Sequence, residues 1–371
     1  MTSSRSAALP PAPAGRAVDS VMIVGNFLHA TTGTFGVCEE LASHLAAAGW
    51  RVLTTSRQRR RLLRLADMLA AIWRQRGRYA VAQVDVYSGP SFIWAEAACW
   101  LLRRVGRPYV LTLHGGALPE FSADRPRRVT RLLASAAAVT TPSGYLATAM
   151  AKYRPDLVVH PNPIATASYH HRLRPQVRPR LLWVRAFHAI YNPAMAVRVV
   201  AHLRGVVPEV RLVMVGPDRG DGSYEHTVQL ARTLGVSDCV DFAGPVPKWD
   251  LPDVFSAHDI FLNTTNVDNT PVTVVEALAS GLCVVSTSVG GIPFLLQHEH
   301  DALLVPADDV TAMAAAIQRL LTTPALATRL SAHGRQNALG RDWSLLLPRW
   351  EQLLRTVAGP AVPLPRPDLA G

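Results

Sequence analysis

Short β-rich apolar runs alternate with longer stretches of helical spacing along most of this chain, and that alternation is the strongest limit on its fold. Val21–Gly25, Arg51–Thr55, Val81–Tyr87, Tyr109–Leu113, Ala138–Thr141 and Leu157–His160 read as strands. Gly36–Ala48, Phe92–Val105 and Tyr145–Lys152 lie between them and read as helices. Strand, helix, strand repeated in this way predicts a parallel sheet with helices on both faces. The near-continuous apolar character of the strands fits burial on both sides.

Ala165–Pro179 is rich in Arg, His and Pro, has no clear period, and reads as an interdomain linker. The alternation then restarts. Strands are predicted at Leu181–Arg185, Val210–Val215, Val240–Phe242, Ile260–Asn263, Cys283–Thr287 and Ala302–Val305. Helices are predicted at Pro193–Val206, Glu225–Leu234, Thr273–Ala279, Thr311–Leu321 and Ala325–Ala338, with a last amphipathic segment at Ser344–Val357. The fold class is therefore α/β, two doubly wound domains in series, at 18–165 and 180–343. Residues 1–17 and 358–371 read as loose tails, 1–17 lacking the apolar stretch of a secretory signal. Ligands of such sheets bind at the carboxyl ends of the strands, which points to a cleft between the domains.

At 371 residues and 49% hydrophobic, the chain is too long for one ordinary core and too apolar for disorder. No run of about 18 uncharged apolar residues is present, so a spanning helix is not predicted. Cys38, Cys99, Cys239 and Cys283 are far apart, without metal-ligand or disulfide spacing; buried thiols in a cytoplasmic protein are the expectation. The net charge is +11, almost all of it Arg, since Lys152 and Lys248 are the only lysines. Such a balance suits nucleic acid, anionic lipid or phosphorylated small molecules. With no zinc finger, recognition helix or basic–aromatic interleaving, nucleic acid is not expected as a partner.

The stretch Asn266–Leu296, NVDNTPVTVVEALASGLCVVSTSVGGIPFLL, carries most of the chemistry. A polar loop with Asp268, Asn269 and Thr270 follows a strand. Pro271 stands where a helix can begin, since its missing N–H costs nothing at a first helical position. The N–H groups of Val272, Thr273 and Val274 would then be free, and with the helix dipole would form an anion site suited to a diphosphate. Glu276 falls one turn further in, on an apolar helix where a lone carboxylate needs partners. Ribose hydroxyls or a structural contact to a neighbouring loop would both serve.

This stretch resembles the donor-binding signature of glycosyltransferase family 4, whose fold is called GT-B. The match runs from Asp268 through seven residues to Glu276, then Ala277, Gly281, Val284, Val285, Gly290, Gly291, Ile292 and Pro293. Asp268 is one methylene shorter than the usual Glu, and Thr270-Pro271 replaces a Phe-Gly pair. Elsewhere, Gly33 matches the second glycine of a family loop after the first strand, and His114, in YVLTLHGG, matches a histidine near the reacting sugar or acceptor. An ordinary strand-end histidine would look the same. Arg185 fits a diphosphate-binding Arg, whereas Ile190 and Tyr191 stand where the family has its Lys; His188 or Lys248 would have to supply that charge, unless Lys248 is simply a solvated loop lysine. Val246 lies in the segment whose backbone faces the nucleobase.

The resemblance implies two Rossmann-like domains facing across a cleft and transfer of a sugar from a nucleotide donor, UDP- or GDP-linked rather than ADP-linked, with retention. It places His114, Arg185, Asp268 and Glu276 at the chemistry, and Gly33, Arg185, Val246, Lys248, Asp268, Asn269, Thr270, Val272, Thr273 and Glu276 on the donor. No cofactor is implied, and with no Asp-x-Asp in the chain no metal clamp is predicted. The acceptor would be a glycan or lipid-linked hydroxyl in cell-surface polysaccharide or glycolipid synthesis. The basic segment Arg57–Tyr79 could lie on anionic lipid through Leu62, Leu65, Met68, Leu69, Ile72 and Trp73, or be an ordinary domain helix with a solvated basic face. A silent sugar-nucleotide binder is the alternative. A nicotinamide oxidoreductase is disfavoured, because no Gly-x-Gly-x-x-Gly follows the first strand.

Overall fold

The computed structural model describes residues 19–27, 36–56, 58 and 60–359, and it holds two six-stranded sheets. Gly33, most of the two tails, Arg57 and Arg59 lie outside the described residues. Strands β1 (Ser20–Val24), β2 (Arg51–Thr55), β3 (Val81–Val86), β4 (Tyr109–Leu113), β5 (Ala138–Thr141) and β6 (Val158–Val159) form the first sheet, in the order β2-β1-β3-β4-β5-β6. Strands β7 (Arg180–Val184), β8 (Arg211–Val215), β9 (Val240–Gly244), β10 (Ile260–Asn263), β11 (Cys283–Thr287) and β12 (Leu303–Val305) form the second, in the order β12-β11-β10-β7-β8-β9. Every pairing is parallel. Each order reverses direction once, beside β1 and β3 in the first sheet and beside β7 and β10 in the second. At such a switch point the flanking loops part and leave a crevice at the strand ends.

The predicted helices form, and four more are present: Leu118–Asp124, Pro126–Ala134, Leu251–Ala257 and Ile292–Leu295. Each has a proline in its first turn, where it supports a helix rather than breaking one. Within Arg57–Tyr79 the helix is α2, Arg61–Arg74 (α1 being Val37–Ala47). Its apolar face is divided: Met68 and Ile72 are buried in the first domain's core and Leu69 packs against it, leaving Leu62, Leu63 and Trp73 exposed. Met68, Leu69 and Ile72 of the face that could lie on lipid are thus used in folding, while Leu62 and Trp73 are not. No helix among the described residues is long and apolar enough to cross a membrane.

The aperiodic segment before β7 is strapped to the second domain. Arg174, fully buried, donates to Asp259 at 3.1 Å and to the carbonyls of Ser280 and His258 at 2.9 and 2.8 Å. Arg172 and Arg178 reach the same carboxylate at 2.5 and 2.7 Å. Burial works against the Asp259 charge, but the bonds from Arg178 and Arg172 prevail and hold its pKa at about 2. The segment lacks a period because its contacts are ionic and backbone-directed.

The last helix, Trp343–Ala358, returns to the first domain, where Trp350 and Leu354 are buried among Val21, Ile23, Leu41, Leu45 and Trp50. The Trp50 indole donates to Glu351 at 2.9 Å, and Arg355 binds Asp19 at 2.7 Å. His160 lies under this helix, its ring 4.3 Å from that of Trp350, 5% exposed, with neither nitrogen in a well-formed hydrogen bond among the described residues. Burial, reinforced by the Arg349 charge, pushes its pKa down to about 4 from 6.5. The unfolded chain therefore takes up this proton before the folded one does. Stability is complete above pH 6.5 and falls as pH drops toward 4, by up to ~3 kcal/mol. Urea unfolding above and below that window should show a larger acid loss for the wild type than for His160→Phe; equal losses would refute the assignment.

Candidate active site

The second domain's switch point is built by the loops after β7 and β10. Arg185 follows β7 directly, its N–H bonded to the Val215 carbonyl at 2.9 Å. After β10 the chain is pinned by Trp183 Nε1 donating to Thr264 Oγ1 at 3.0 Å and Thr287 Oγ1 donating to the Thr265 carbonyl at 2.6 Å. Asp268 and Asn269 then cross over Gly290 and Gly291. The Gly291 N–H donates to the Asp268 carbonyl at 3.0 Å, and a methyl group at either glycine would run into the carbonyl oxygen of Asp268 or Asn269. These glycines are thus required for the close approach that sets the loop.

The next helix is α10, Val272–Ala279, eighth after α2 in chain order, and it begins differently from the sequence expectation. Pro271 is the residue before the first turn, at φ −69° and ψ 115°, not the first helical residue. Its carbonyl accepts the Val274 N–H at 3.2 Å, which takes Val274 out of the expected anion site and leaves the Val272 and Thr273 N–H groups, for which no partner is present among the described residues. Around them lie three buried polar atoms without a hydrogen bond: Arg185 Nε, Thr270 Oγ1 and Thr273 Oγ1. Buried groups of this kind are normally satisfied, and a cluster of them marks a place prepared for a polar ligand.

Charged side chains converge on the same place. Arg185 pairs with Asp268 and lies over the Tyr191 ring, 4.4 Å from its centroid. Asp268 Oδ1 accepts the Asn269 N–H at 2.8 Å. Glu276, 3% exposed, accepts the Tyr169 hydroxyl on Oε1 at 2.7 Å; its other oxygen has no hydrogen bond among the described residues. Burial pushes the Glu276 carboxyl up, while Lys248, the Tyr169 bond and Arg185 pull it back. Burial lowers Lys248, opposed by Glu276. Burial likewise lowers Arg185, opposed by Tyr191 and Glu276. Lys248 is not a solvated loop lysine: it pairs with Glu40 of the first domain and its charge acts on Glu276. His188 faces Asp221 instead, at 3.7 Å. Val246 packs against the core beside α10.

The first domain meets this site across the cleft. Ser143 bonds the Asn269 side chain, so that side chain serves the domain contact. Gly116 lies against Val267 and Asp268, where an added methyl would be 3.0 Å from Val267 Cγ1. His114, two residues earlier, places Nε2 3.0 Å from Asp85 Oδ1 and stacks on Tyr87 at 5.1 Å. The structure thus gathers Arg185, Lys248, Asp268, Thr270, Val272, Thr273 and Glu276 at one switch point and sets His114 on the facing domain. Glu40, Tyr169, Tyr191 and Asp85 were not read as site residues. Asp85 alone carried a local signal, a single carboxylate on an apolar strand, the same signal that singled out Glu276. Among the described residues no three His, Cys, Asp or Glu side chains cluster in a way that could hold a metal.

Two parallel doubly wound domains facing across a crevice make up the GT-B fold. Family models match on both halves: Glycosyltransferase Family 4 over residues 32–168 and Glycosyl transferases group 1 over 178–323. The chain belongs to the family 4, group 1 glycosyltransferases. It is 34% identical over 160 residues to a protein named D-inositol 3-phosphate glycosyltransferase from Stackebrandtia nassauensis, covering 41% of this chain and 36% of the relative. The chain thus matches about a third of that relative's length. It is 25% identical over 309 residues to the protein of the same name from Thermobispora bispora, covering 76% and 72%. The fold superposes on sucrose-phosphate synthase from Thermosynechococcus elongatus with a TM-score of 0.74 at 20% identity, over 91% of this chain and 98% of that one. It superposes on Anabaena HepE in complex with UDP with a TM-score of 0.72 at 16% identity, over 91% and 99%.

The close approach at Gly291 predicts a strong dependence on that residue. Gly291→Ala should lower stability by more than about 2 kcal/mol, whereas Gly77→Ala, with open space around it, should stay within about 0.5 kcal/mol. Thermal denaturation of the two variants checks this; equal melting temperatures would contradict it.

Proposed function

We propose that this glycosyltransferase binds a nucleoside diphosphate sugar in the second domain and transfers the sugar, with retention, to a hydroxyl acceptor held by the first. The observation that carries the reading is the convergence of two cations, two free helix N–H groups and three unsatisfied buried polar atoms around Glu276. A diphosphate satisfies that set. Its oxygens accept from Val272, Thr273 and Arg185, and the helix dipole adds attraction. Lys248 supplies the second charge in place of the lysine that Ile190 and Tyr191 displace. Ribose hydroxyls donate to the unoccupied oxygen of Glu276, a charge-assisted bond worth about 1.5–3 kcal/mol.

In the transfer step the bond from the anomeric carbon to the β-phosphate oxygen breaks and negative charge grows on the diphosphate. Arg185 and Lys248 would exchange Asp268 and Glu40 for the diphosphate when it binds, and with the helix terminus would then stabilise the growing charge. The acceptor hydroxyl attacks from the side the diphosphate leaves, and its proton passes to a β-phosphate oxygen, so no separate protein base is required. Asp268 and His114 flank the sugar. UDP is the favoured nucleotide, because HepE, which shares the fold, is seen with UDP. The acceptor is a polyhydroxylated molecule, in keeping with relatives named for an inositol phosphate.

Calorimetry with UDP, GDP and ADP tests the reading. UDP should bind, Glu276→Ala should weaken it by about ten-fold or more, and the variant should keep its circular dichroism while losing turnover. A folded Glu276→Ala enzyme of normal rate, or no binding of any nucleotide by the wild type, would overturn the proposal. Because side-chain cations supply the charge, turnover should also persist in EDTA; loss on chelation and recovery with a divalent ion would show that they do not suffice.

A further inference from the structure

The first sheet has its own switch point, between β1 and β3, and a crevice of about 20 Å³ lies there. That is room for one or two hydroxyl-sized groups. Gly25, Asn26, Asp85, Tyr87, Ser91 and Trp94 line it. Asp85 is unevenly satisfied. Its Oδ1 receives both His114 Nε2 at 3.0 Å and Gln83 Nε2 at 2.8 Å, while Oδ2 has no well-formed hydrogen bond among the described residues. The side chain is only 4% exposed. The Cys38 thiol beside it donates to the Asn26 carbonyl at 3.7 Å and also helps to hold the Asp85 carboxyl down.

Burial opposes the Asp85 charge, but the His114 charge and the bonds from His114 and Gln83 outweigh it and hold the carboxyl below its ordinary pKa. Asp85 is therefore an anion at neutral pH and can only accept. Access to Oδ2 depends on Gly25, where an added methyl would stand 2.9 Å from Oδ2 and 2.8 Å from Cys38 Sγ. What fills the crevice must bring a donor. Arg64 stands beside it, its Nη1 3.2 Å from Asn26 Oδ1 and its guanidinium 5.3 Å from the centre of the Trp94 ring. That charge repels an ammonium group and leaves hydroxyls as the suitable donor. The aromatic faces of Trp94 and Tyr87 at the same crevice suit the apolar face of a saturated ring.

We propose that Asp85 anchors the acceptor, its Oδ2 taking a hydrogen bond from one hydroxyl of a cyclitol or pyranose ring that rests on Trp94 and Tyr87. This rests on the glycosyltransferase reading above and deepens it by naming the acceptor class and the residue that selects it. His114 joins the crevice to the donor side: it is bonded to Asp85, and Gly116 after it touches Val267 and Asp268. A ring held at Asp85 is thereby placed at the mouth of the cleft that faces the donor.

The test uses the full chain saturated with UDP and titrated with D-inositol 3-phosphate, myo-inositol and methyl α-glucoside. At least one should bind the wild type. Asp85→Asn removes the charge and Gly25→Ala blocks the approach while leaving the Asp85–His114 pair in place. Each should weaken that probe by about ten-fold or more with UDP affinity preserved, whatever the change in melting temperature. A merely structural Asp85 would move UDP affinity along with the probe. That outcome, unchanged probe affinity in both variants, or no binding of any probe to the UDP-bound wild type would overturn the proposal and leave the donor reading standing. Failure of the wild type to bind UDP would remove the donor reading, and this proposal with it.

Discussion

Opposite charges neutralise one another across the cleft, and the arrangement of the site depends on that balance. Arg185 is shared with Asp268, Lys248 with Glu40, and both cations act on the buried Glu276. Removing two cations and a carboxylate from water without partners would cost several kcal/mol for each ion. The pairing offsets that cost and keeps the cations in position. On the proposed function, Asp268 and Glu40 hold places that a diphosphate would compete for, so that affinity is a difference between two ionic arrangements rather than the sum of new contacts. The shorter side chain of Asp268 fits this role, since it stays within reach of Arg185 while its other oxygen holds the Asn269 N–H.

The backbone around these charges is as constrained as the charges themselves. Gly290 and Gly291 let the Asp268–Asn269 loop lie directly on the following turn, and Gly116 and Gly144 let the first domain approach it. An added methyl at Gly144 would be 2.7 Å from the Phe294 ring. The glycines at the cleft therefore act by admitting neighbouring backbone and side chains. The Gly-Gly-Ile-Pro turn is legible in the sequence for the same reason: only glycine tolerates that approach.

What the sequence disclosed follows from the range over which its signals act. The strands Tyr109–Leu113, Ala138–Thr141, Ile260–Asn263 and Cys283–Thr287 match their predicted bounds, because burial on both faces favours apolar runs; the edge strand Arg51–Thr55 also matches, though it is largely exposed or half-buried. The helices Leu118–Asp124, Pro126–Ala134 and Leu251–Ala257 were hidden by prolines that read as breaks and act as starts. Partners distant in the chain left no local trace. Tyr169 reaches Glu276 across 107 positions from a segment that looked like a plain linker, and Lys248 meets Glu40 from another domain. The carboxylate of Glu276 was visible as an anomaly on its helix, while the hydroxyl that holds it was not.

The two domains are joined twice, and the crossings lie side by side. Ile164 pairs with Asp342 in a parallel bridge, the Trp343 N–H donates to the Ile164 carbonyl at 3.2 Å, and Asp342 accepts the Thr166 N–H at 3.0 Å while also capping the last helix through Ser344 at 2.8 Å. Burial disfavours the Asp342 charge, but the bonds from Thr166 and Ser344 hold its pKa at about 2, so this joint is insensitive to ordinary pH. One crossing is strapped to the second domain by Arg174, and the other is rooted in the first domain's core by Trp350 and Leu354. Slack is thus absent at either end of the joint. At the cleft, by contrast, the domains touch through a few polar and ring contacts, Ser143 to Asn269, Glu40 to Lys248 and Tyr145 to Phe294. The Ser143–Asn269 bond is buried, and the other two are partly solvated. The domains are therefore held most firmly at the paired crossings, and on the proposed function the lighter contacts lie where donor and acceptor would enter.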